Sequence, residues 1–364
     1  MTREVYSSPT AEARVAPRVA PPSPAVRVGA WIDIPLVVDT ASDGYRLDRF
    51  LAQRIRRLSR TRVQWIIAAG QVRCPDRPGQ SLRAASRVAA GHTVIVSRPA
   101  PIEPPAPHTA TVLHHDDHLL VLDKPAGLAV HPSARYHRHT LTAVLRDVFG
   151  AGHGWEMAHR LDRETSGVIV FGRRGGSAST LKRAFQRRDI LKQYLAIVHG
   201  TLATATHVDV PIGAATGSRV KIKMGPRAIE DGGLVASTAF DPLAYGEFRE
   251  RPVTLVRARP HTGRQHQIRV HLDHLGHAVI GDKLYGIDES AFLAVHDHGR
   301  LMDDLEAEIG LPRQALHAWS IELTHPGLGR RVRFTAPWPA DLRAIVDLPV
   351  PQRGEGESPF PPAP

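Results

Sequence analysis

Residues 159–167 read His159-Arg160-Leu161-Asp162-Arg163-Glu164-Thr165-Ser166-Gly167 and run directly into Val168-Ile169-Val170-Phe171. Four apolar residues after a Ser-Gly pair predict a buried strand entered through a turn. Ahead of it, Asp162 stands between Arg160 and Arg163, with Glu164 two residues on. Neighbouring cations hold a carboxylate ionised, and loops at the ends of rigid elements are where reactive groups are presented. The same composition also describes an exposed ion-pair cluster, each pair contributing at most about 1 kcal/mol. The rest of the chain decides between these readings.

The chain has 364 residues, 42% of them hydrophobic, enough for two or three domains with a sizeable core. Lys and Arg number 47 against 36 Asp and Glu, a net charge of +11. That balance favours a polyanionic partner, because each neutralised phosphate releases counterions. Cys74 is the single cysteine. It excludes an intramolecular disulfide and a zinc site built on cysteines, and it points to a reducing compartment. No apolar run approaches the roughly 20 residues of a membrane span, and the N-terminus has no apolar signal core. A cytoplasmic protein with no membrane role is expected.

Residues 1–28 are rich in Ala, Pro and Arg without apolar periodicity and read as a disordered basic arm. Residues 349–364 read as a disordered tail. Between them, Pro99 to Pro107 forms a stiff Pro-rich linker, placed at 99–108. It separates a small unit, 29–98 with its preceding strand, from a large one, 109–348. In the small unit Leu47, Phe50, Leu51 and Ile55 make one helical stripe. Ser59 stands as N-cap of a second helix with Val63, Ile66 and Ile67 inward, and Gly70 is its stop. Residues 71–74 and 93–96 read as strands. Arg54, Arg56, Arg57, Arg60 and Arg62 fall on exposed positions. They form either a solvated face or a phosphate-backbone contact, and Arg54, Arg57, Arg60 and Arg62 are the candidates for that contact.

In the large unit, Leu119–Leu122, Val168–Phe171, Tyr194–Val198, Val253–Val256 and Val332–Phe334 read as strands. Lys124-Pro125-Ala126-Gly127 reads as a turn and Leu181–Arg187 as a basic amphipathic helix. Long helices between parallel strands are missing. The fold class is therefore α+β with a mixed, largely antiparallel sheet.

Two further stretches carry chemistry. Thr262-Gly263-Arg264-Gln265-His266-Gln267-Ile268-Arg269 opens with capping-box spacing, Thr262 to Gln265, and predicts a helix start there; Gly276 ends that helix. Lys192-Gln193-Tyr194 begins a strand in which Tyr194 is read locally as packing. Together with His159–Gly167, these stretches resemble signatures of the RluA family of RNA pseudouridine synthases. Asp123-Lys124-Pro125-Ala126-Gly127-Leu128-Ala129-Val130-His131, Gly281-Asp282-Lys283-Leu284-Tyr285-Gly286 and Leu316-His317-Ala318 through Thr324-His325-Pro326 resemble the same family in the same order. Six ordered matches over most of 110–340 make chance negligible. Arg46–Leu51, Leu58–Val63 and Gly70-Gln71-Val72 are similar to the S-four type of RNA-binding domain. The hairpin there departs from that pattern: Pro75-Asp76-Arg77-Pro78 replaces the usual Asn-Gly, and His92 replaces an acidic residue.

The resemblance implies the pseudouridine synthase catalytic fold, and isomerisation of uridine to pseudouridine in a flipped-out nucleotide. Asp162 is the implied catalytic carboxylate acting at the ribose. Arg269 pairs with it, and Tyr194 stacks on the base and serves proton transfer at carbon 5. Arg160, Arg163, Arg264 and His266, lying inside the signatures, are candidate RNA contacts. The expected substrate is large-subunit ribosomal RNA, with transfer RNA or a non-catalytic role in ribosome assembly as alternatives, and a monomer is expected. No cofactor is needed, because atoms are only rearranged. His114-His115-Asp116-Asp117-His118 and the series His266, His271, His274, His277 look like metal clusters. They lack an accompanying ligand pattern in a chain with 21 histidines, so no metal is expected. A hydrolase pairing Asp162 with Glu164 is disfavoured, since residues two apart rarely straddle a sugar.

Overall fold

The computed structural model describes residues 31–55, 58–99, 103–132, 136, 138–297 and 301–346. Arg57, the arm 1–28 and the tail 349–364 lie outside them. The chain divides into two compact units between residues 102 and 103, inside the Pro-rich stretch.

The first unit runs β1 (Trp31–Val37), α1 (Leu47–Arg54), α2 (Arg60–Ala68), β2 (Val72–Arg73) and β3 (Thr93–Pro99), with an antiparallel sheet in the order β1-β3-β2. Ser59 caps α2, its hydroxyl accepting the Arg62 N–H at 3.2 Å. Leu47, Phe50, Leu51, Val63, Ile66 and Ile67 are buried in one cluster, and Gly70 leaves the helix at φ +67°. The strand expected over 71–74 is shorter, because Pro75 has no N–H to extend the ladder. Asp48 in α1 is fully buried. Its carboxylate accepts from Arg46 at 3.1 Å, Arg60 at 3.2 Å and Gln64 at 3.0 Å. The bond from Arg46, then those from Gln64 and Arg60, outweigh the cost of burial and hold it well below the usual carboxylate range.

The second unit runs β4 (Thr111–His115), β5 (Leu119–Lys124), α3 (Leu141–Phe149), β6 (Trp155–Met157), β7 (Ser166–Arg173), α4 (Gly176–Arg187), β8 (Leu191–His199), β9 (Thr206–Val208), β10 (Ile212–Ala214), β11 (Met224–Pro226), β12 (Thr238–Phe248), β13 (Arg251–Pro260), α5 (Gln267–His274), α6 (Glu289–Asp297), α7 (Met302–Ile309), β14 (Leu316–Thr324), β15 (Arg331–Thr335) and α8 (Ala340–Arg343). Ten strands form one sheet in the order β4-β5-β7-β14-β8-β13-β12-β9, with β6 on β7 and β15 on β14. Among the described strands of this sheet only β7 and β14 pair in parallel, so the class is the α+β, largely antiparallel one that the sequence predicts. The helix expected from Leu181 begins five residues earlier, at Gly176. Its first turn, Gly176-Ser177-Ala178-Ser179, carries too little apolar character to announce itself.

The middle of the sheet is buried on both faces. In β7, Ile169 and Phe171 join Leu120, Leu122 and Leu141 on one side, while Val168 and Val170 join Leu119, Val121 and Leu181 on the other. Each such side chain contributes about 1.5–3 kcal/mol on burial, so the strand behind Asp162 is a rigid support. Gly167 fixes where β7 meets β14. Its φ is +107°, and a Cβ there would lie 2.2 Å from the Ala318 carbonyl oxygen, so no other residue fits.

Candidate active site

Asp162 lies on the loop entering β7, Tyr194 on β8 beyond the intervening β14, and Arg269 within α5. The loop is held by its own carbonyls. Buried Lys124 donates from Nζ to the carbonyl oxygens of Pro125 at 2.8 Å, Leu128 at 3.0 Å and Arg163 at 3.0 Å. Gly127 N–H adds a second donor to Arg163 O at 2.9 Å. Burial draws the Lys124 ammonium down to about 7, partly resisted by the Asp162 charge.

Helix α5 starts differently from the expectation. Its first residue is Gln267 and its cap is His266, in the left-handed region at φ +56°. Gln265 is exposed and takes no part. The role assigned to it falls to Gln267, whose Oε1 accepts from Thr262 Oγ1 at 2.6 Å and Arg264 N–H at 2.9 Å. Gln267 Nε2 reaches Thr238 Oγ1 at 2.9 Å. These bonds tie α5 to β12, and Ile268 and Leu272 anchor it in the core.

Arg269 is consequently immobile. One terminal nitrogen donates to Asp162 Oδ2 at 2.9 Å. Its Nε and other terminal nitrogen grip Asp282 at 2.6 and 2.8 Å, a bidentate pair. Asp282 also accepts the N–H groups of Leu284 and Tyr285. The Tyr285 ring lies beneath the guanidinium, 4.9 Å to its centroid, and its hydroxyl bonds His266 Nδ1 at 2.9 Å. Burial opposes the charge on Asp162, but Arg269 beside it prevails and holds the carboxyl below its ordinary range. Among the described residues nothing bonds Oδ1. Burial, reinforced by the Asp162 charge, pushes the Tyr194 phenol up. The same burial draws His266 down to about 4 and Lys192 to about 8.

These groups line a cleft of about 800 Å³. Its described walls carry Arg160, Lys182, Arg188, Lys192, Arg264 and Arg269 but one carboxylate, Asp162, over an apolar floor that includes Leu161, Phe185, Ile268 and Leu316. A basic trough with a flat aromatic face and a single ionised carboxylate suits a polyanion that presents an unstacked base.

Comparison with known proteins agrees with this chemistry. The RNA pseudouridylate synthase family model matches residues 118–274. The chain is 36% identical over 319 residues to the ribosomal large subunit pseudouridine synthase D of Xanthomonas campestris, covering 85% of this chain and 90% of that protein. It is 30% identical over 324 residues to the ribosomal large subunit pseudouridine synthase C of Vibrio cholerae, covering 85% and 94%. This chain belongs to the RluA family of RNA pseudouridine synthases. The solved structure of human RNA pseudouridylate synthase domain containing 1 shares the synthase fold, with a TM-score of 0.52 at 24% identity over 69% of this chain and 94% of that one.

Within this synthase, the geometry brings together Asp162, Tyr194, Arg269, Arg160, Arg264 and His266 around the cleft. Arg163 is not among them: it turns to Glu164 at 2.6 Å and the Tyr136 hydroxyl at 3.2 Å. The ionisation of Asp162, expected from its two sequence neighbours, therefore rests first on Arg269, 107 residues away, with a smaller contribution from Arg160 and none assigned to Arg163. Glu164 is bound to Lys283 at 2.8 Å and does not line the cleft. In the first unit Arg54 donates to Val37 O, and Arg62 lies over the Trp65 ring at 4.0 Å. Arg60 is bound to Asp48, though 64% of its side chain is exposed. No local pattern disclosed Asp282, Tyr285, Lys124 or Lys192 as parts of the site. Their partners lie on other elements, and only membership of ordered family stretches marked them.

The histidine series along α5 disperses: His271 bonds Thr238 and Val210 O, and His277 donates to His199 O. His114, Asp116 and His325 do meet, each imidazole within 3.0 Å of Asp116 Oδ2. His325 Nδ1 accepts the N–H groups of Gly327 and Leu328, so its Nε2 carries the proton and donates to Asp116. That tautomer has no lone pair to offer an ion on Nε2. The cluster pins β4 to the turn after β14. Among the described residues, no helix is long and apolar enough to cross a membrane.

Proposed function

We propose that this synthase converts uridine to pseudouridine in large-subunit ribosomal RNA, in the cytoplasm, with Asp162 acting at the ribose of a flipped-out nucleotide. The observation that carries the reading is the Asp162–Arg269 contact at 2.9 Å in a cleft whose other charged lining residues are all cationic. Relatives named for the ribosomal large subunit favour that RNA over transfer RNA. The bond between N1 and the anomeric carbon breaks, the uracil turns, carbon 5 bonds to the anomeric carbon, carbon 5 loses its proton, and N1 gains one, so that the atoms are only rearranged. Asp162 Oδ1 faces the sugar while Oδ2 is held by Arg269. Tyr194 stacks against the ring. Its phenol, kept neutral, accepts the carbon 5 proton only as it passes its own onward, so it works as a relay and not as a standing base. Arg160 and Arg264, together with Arg54, Arg57, Arg60 and Arg62 of the S-four-like unit, contact the backbone, and His266 contacts the nucleotide as a neutral imidazole, while Arg163, turned to Glu164, takes no part.

The test is carbodiimide-based primer extension on ribosomal and transfer RNA from cells with and without this protein, beside purified Asp162→Asn. The variant is expected to bind RNA within a few-fold of the parent and form no pseudouridine. Turnover by Asp162→Asn would remove Asp162 from the mechanism, and a lost stop confined to transfer RNA would overturn the substrate.

A further inference from the structure

In the first unit, Cys74, Asp76 and His92 bring a thiol, a carboxylate oxygen and a ring nitrogen within 4.8 Å of one another. Asp76 and His92 sit where the sequence departs from the S-four pattern. The three flank the ends of one long connection: Cys74 and Asp76 follow β2, and His92 precedes β3. Between them, residues 75–91 contain turns and bends but no helix or strand. We propose that Cys74, Asp76 and His92 bind a zinc-class divalent cation that closes this loop onto the sheet.

Three features separate this cluster from a chance grouping. No hydrogen bond or ion pair links the three side chains, although all three can form them. His92 Nδ1 is buried and has no partner among the described residues, a state that is costly in a finished structure. Asp76 spends Oδ2 on the Thr93 N–H at 2.7 Å, which fixes the carboxylate and leaves Oδ1. One thiolate, one imidazole and one carboxylate make a borderline donor set suited to Zn²⁺ or Co²⁺ and poor for Mg²⁺ or Ca²⁺. With bonds of about 2.0–2.3 Å, tetrahedral donors stand roughly 3.3–3.8 Å apart, so the cluster closes by about 1 Å on binding and water takes the fourth position. A single cysteine excludes a multi-thiolate site but not this mixed one. Binding releases the thiol proton, since the thiolate is the ligand.

Because Cys74 is the chain's only cysteine, any sulfur-to-cobalt charge-transfer absorption reports on it alone, whatever the histidines elsewhere bind. Full-length protein freed of metal is titrated with Co²⁺ and then Zn²⁺. The expected result is one equivalent of Co²⁺ showing that absorption, displaced by Zn²⁺, and Co²⁺ affinity at the thiolate weakened at least tenfold in His92→Ala and in Asp76→Asn. In the unsubstituted protein, Zn²⁺ slows alkylation of Cys74 by iodoacetamide at least tenfold, and EDTA restores the rate. This second readout stands even if a variant fails to fold. Absence of the charge-transfer band, an affinity unchanged by His92→Ala, or alkylation indifferent to Zn²⁺ would each overturn the proposal.

Discussion

Asp282→Ala tests how Asp162, the proposed catalytic carboxylate, is held. The Asp282 side chain is wholly buried and takes two Arg269 donors at 2.6 and 2.8 Å, with two backbone N–H groups besides. Alanine strands a buried guanidinium whose remaining carboxylate partner, Asp162, meets one of its nitrogens. Breaking a buried pair costs about 3–5 kcal/mol, against about 0–1 kcal/mol for an exposed one. In a unit of this size each kcal/mol moves the melting midpoint by roughly 2–4 °C, so a fall of roughly 6–20 °C is expected. The penalty belongs to the stranded charge, so Asp282→Ala/Arg269→Met removes its cause, and the two single losses do not add. Turnover falls about 10²-fold, the cost of a carboxylate misplaced by about 1 Å. Circular dichroism gives the midpoints, and release of tritium from carbon 5 of labelled uridine in RNA gives turnover. A midpoint within about 3 °C of the parent, the yield of about 1 kcal/mol, or strictly additive losses would refute the reasoning.

Tyr194→Phe keeps the ring and removes the hydroxyl, so single-turnover tritium release should fall about 10²-fold or more while RNA affinity stays within a few-fold; an unchanged rate removes the relay. Lys192, drawn down to about 8 by burial, is charged below that pH and neutral above it. RNA affinity measured by filter binding should therefore weaken as pH rises through about 8, and Lys192→Met should lose that step. In stability the sign is opposite: a lysine lowered in the folded state opposes folding below its folded pKa, and this cost fades as pH rises from about 8 toward the unfolded value. Gly167→Ala forces a Cβ to 2.2 Å from Ala318 O in a backbone at φ +107°, and is expected to yield insoluble protein, whereas Gly176→Ala, with nothing within 4 Å of its Cβ and a backbone outside the left-handed region, stays soluble.

The strands were legible because their residues face a buried sheet: Leu119–Leu122 and Val168–Phe171 are apolar on consecutive positions since both faces of β5 and β7 are covered. Ser59 was legible because capping is local. The start of α5 was not, since Thr262 and Gln265 have the right spacing while the bond goes to Gln267, behind a left-handed His266. Arg269 as the partner of Asp162 came from family resemblance alone, because no periodicity relates residues 107 positions apart. Asp282 stood in a quoted stretch with no role, for its function is to hold a side chain from another element. Local charge misled in one case: Arg163 neighbours Asp162 in sequence but points to Glu164.

The second partner of Arg269 resolves a conflict built into any basic cleft that relies on one carboxylate. Cations that attract RNA also attract Asp162, and unit charges at about 4 Å interact by about 4 kcal/mol at an effective dielectric of 20. A free arginine would close on the carboxylate with both nitrogens and cover both oxygens. Here three of the cleft's other cations have a prior engagement: Lys192 with Thr262 O at 2.8 Å, Arg264 with Val235 O at 2.9 Å, Lys182 with Glu156 at 2.7 Å. Arg269 is turned by Asp282 so that one nitrogen reaches Asp162. Asp162 is thus kept ionised while Oδ1 is left unbonded among the described residues, as its proposed role at the sugar requires. Released by Asp282→Ala, Arg269 no longer fixes that orientation, so the variant loses activity by displacement of its carboxylate. Asp282→Glu retains the charge and recovers turnover only in so far as it restores that orientation.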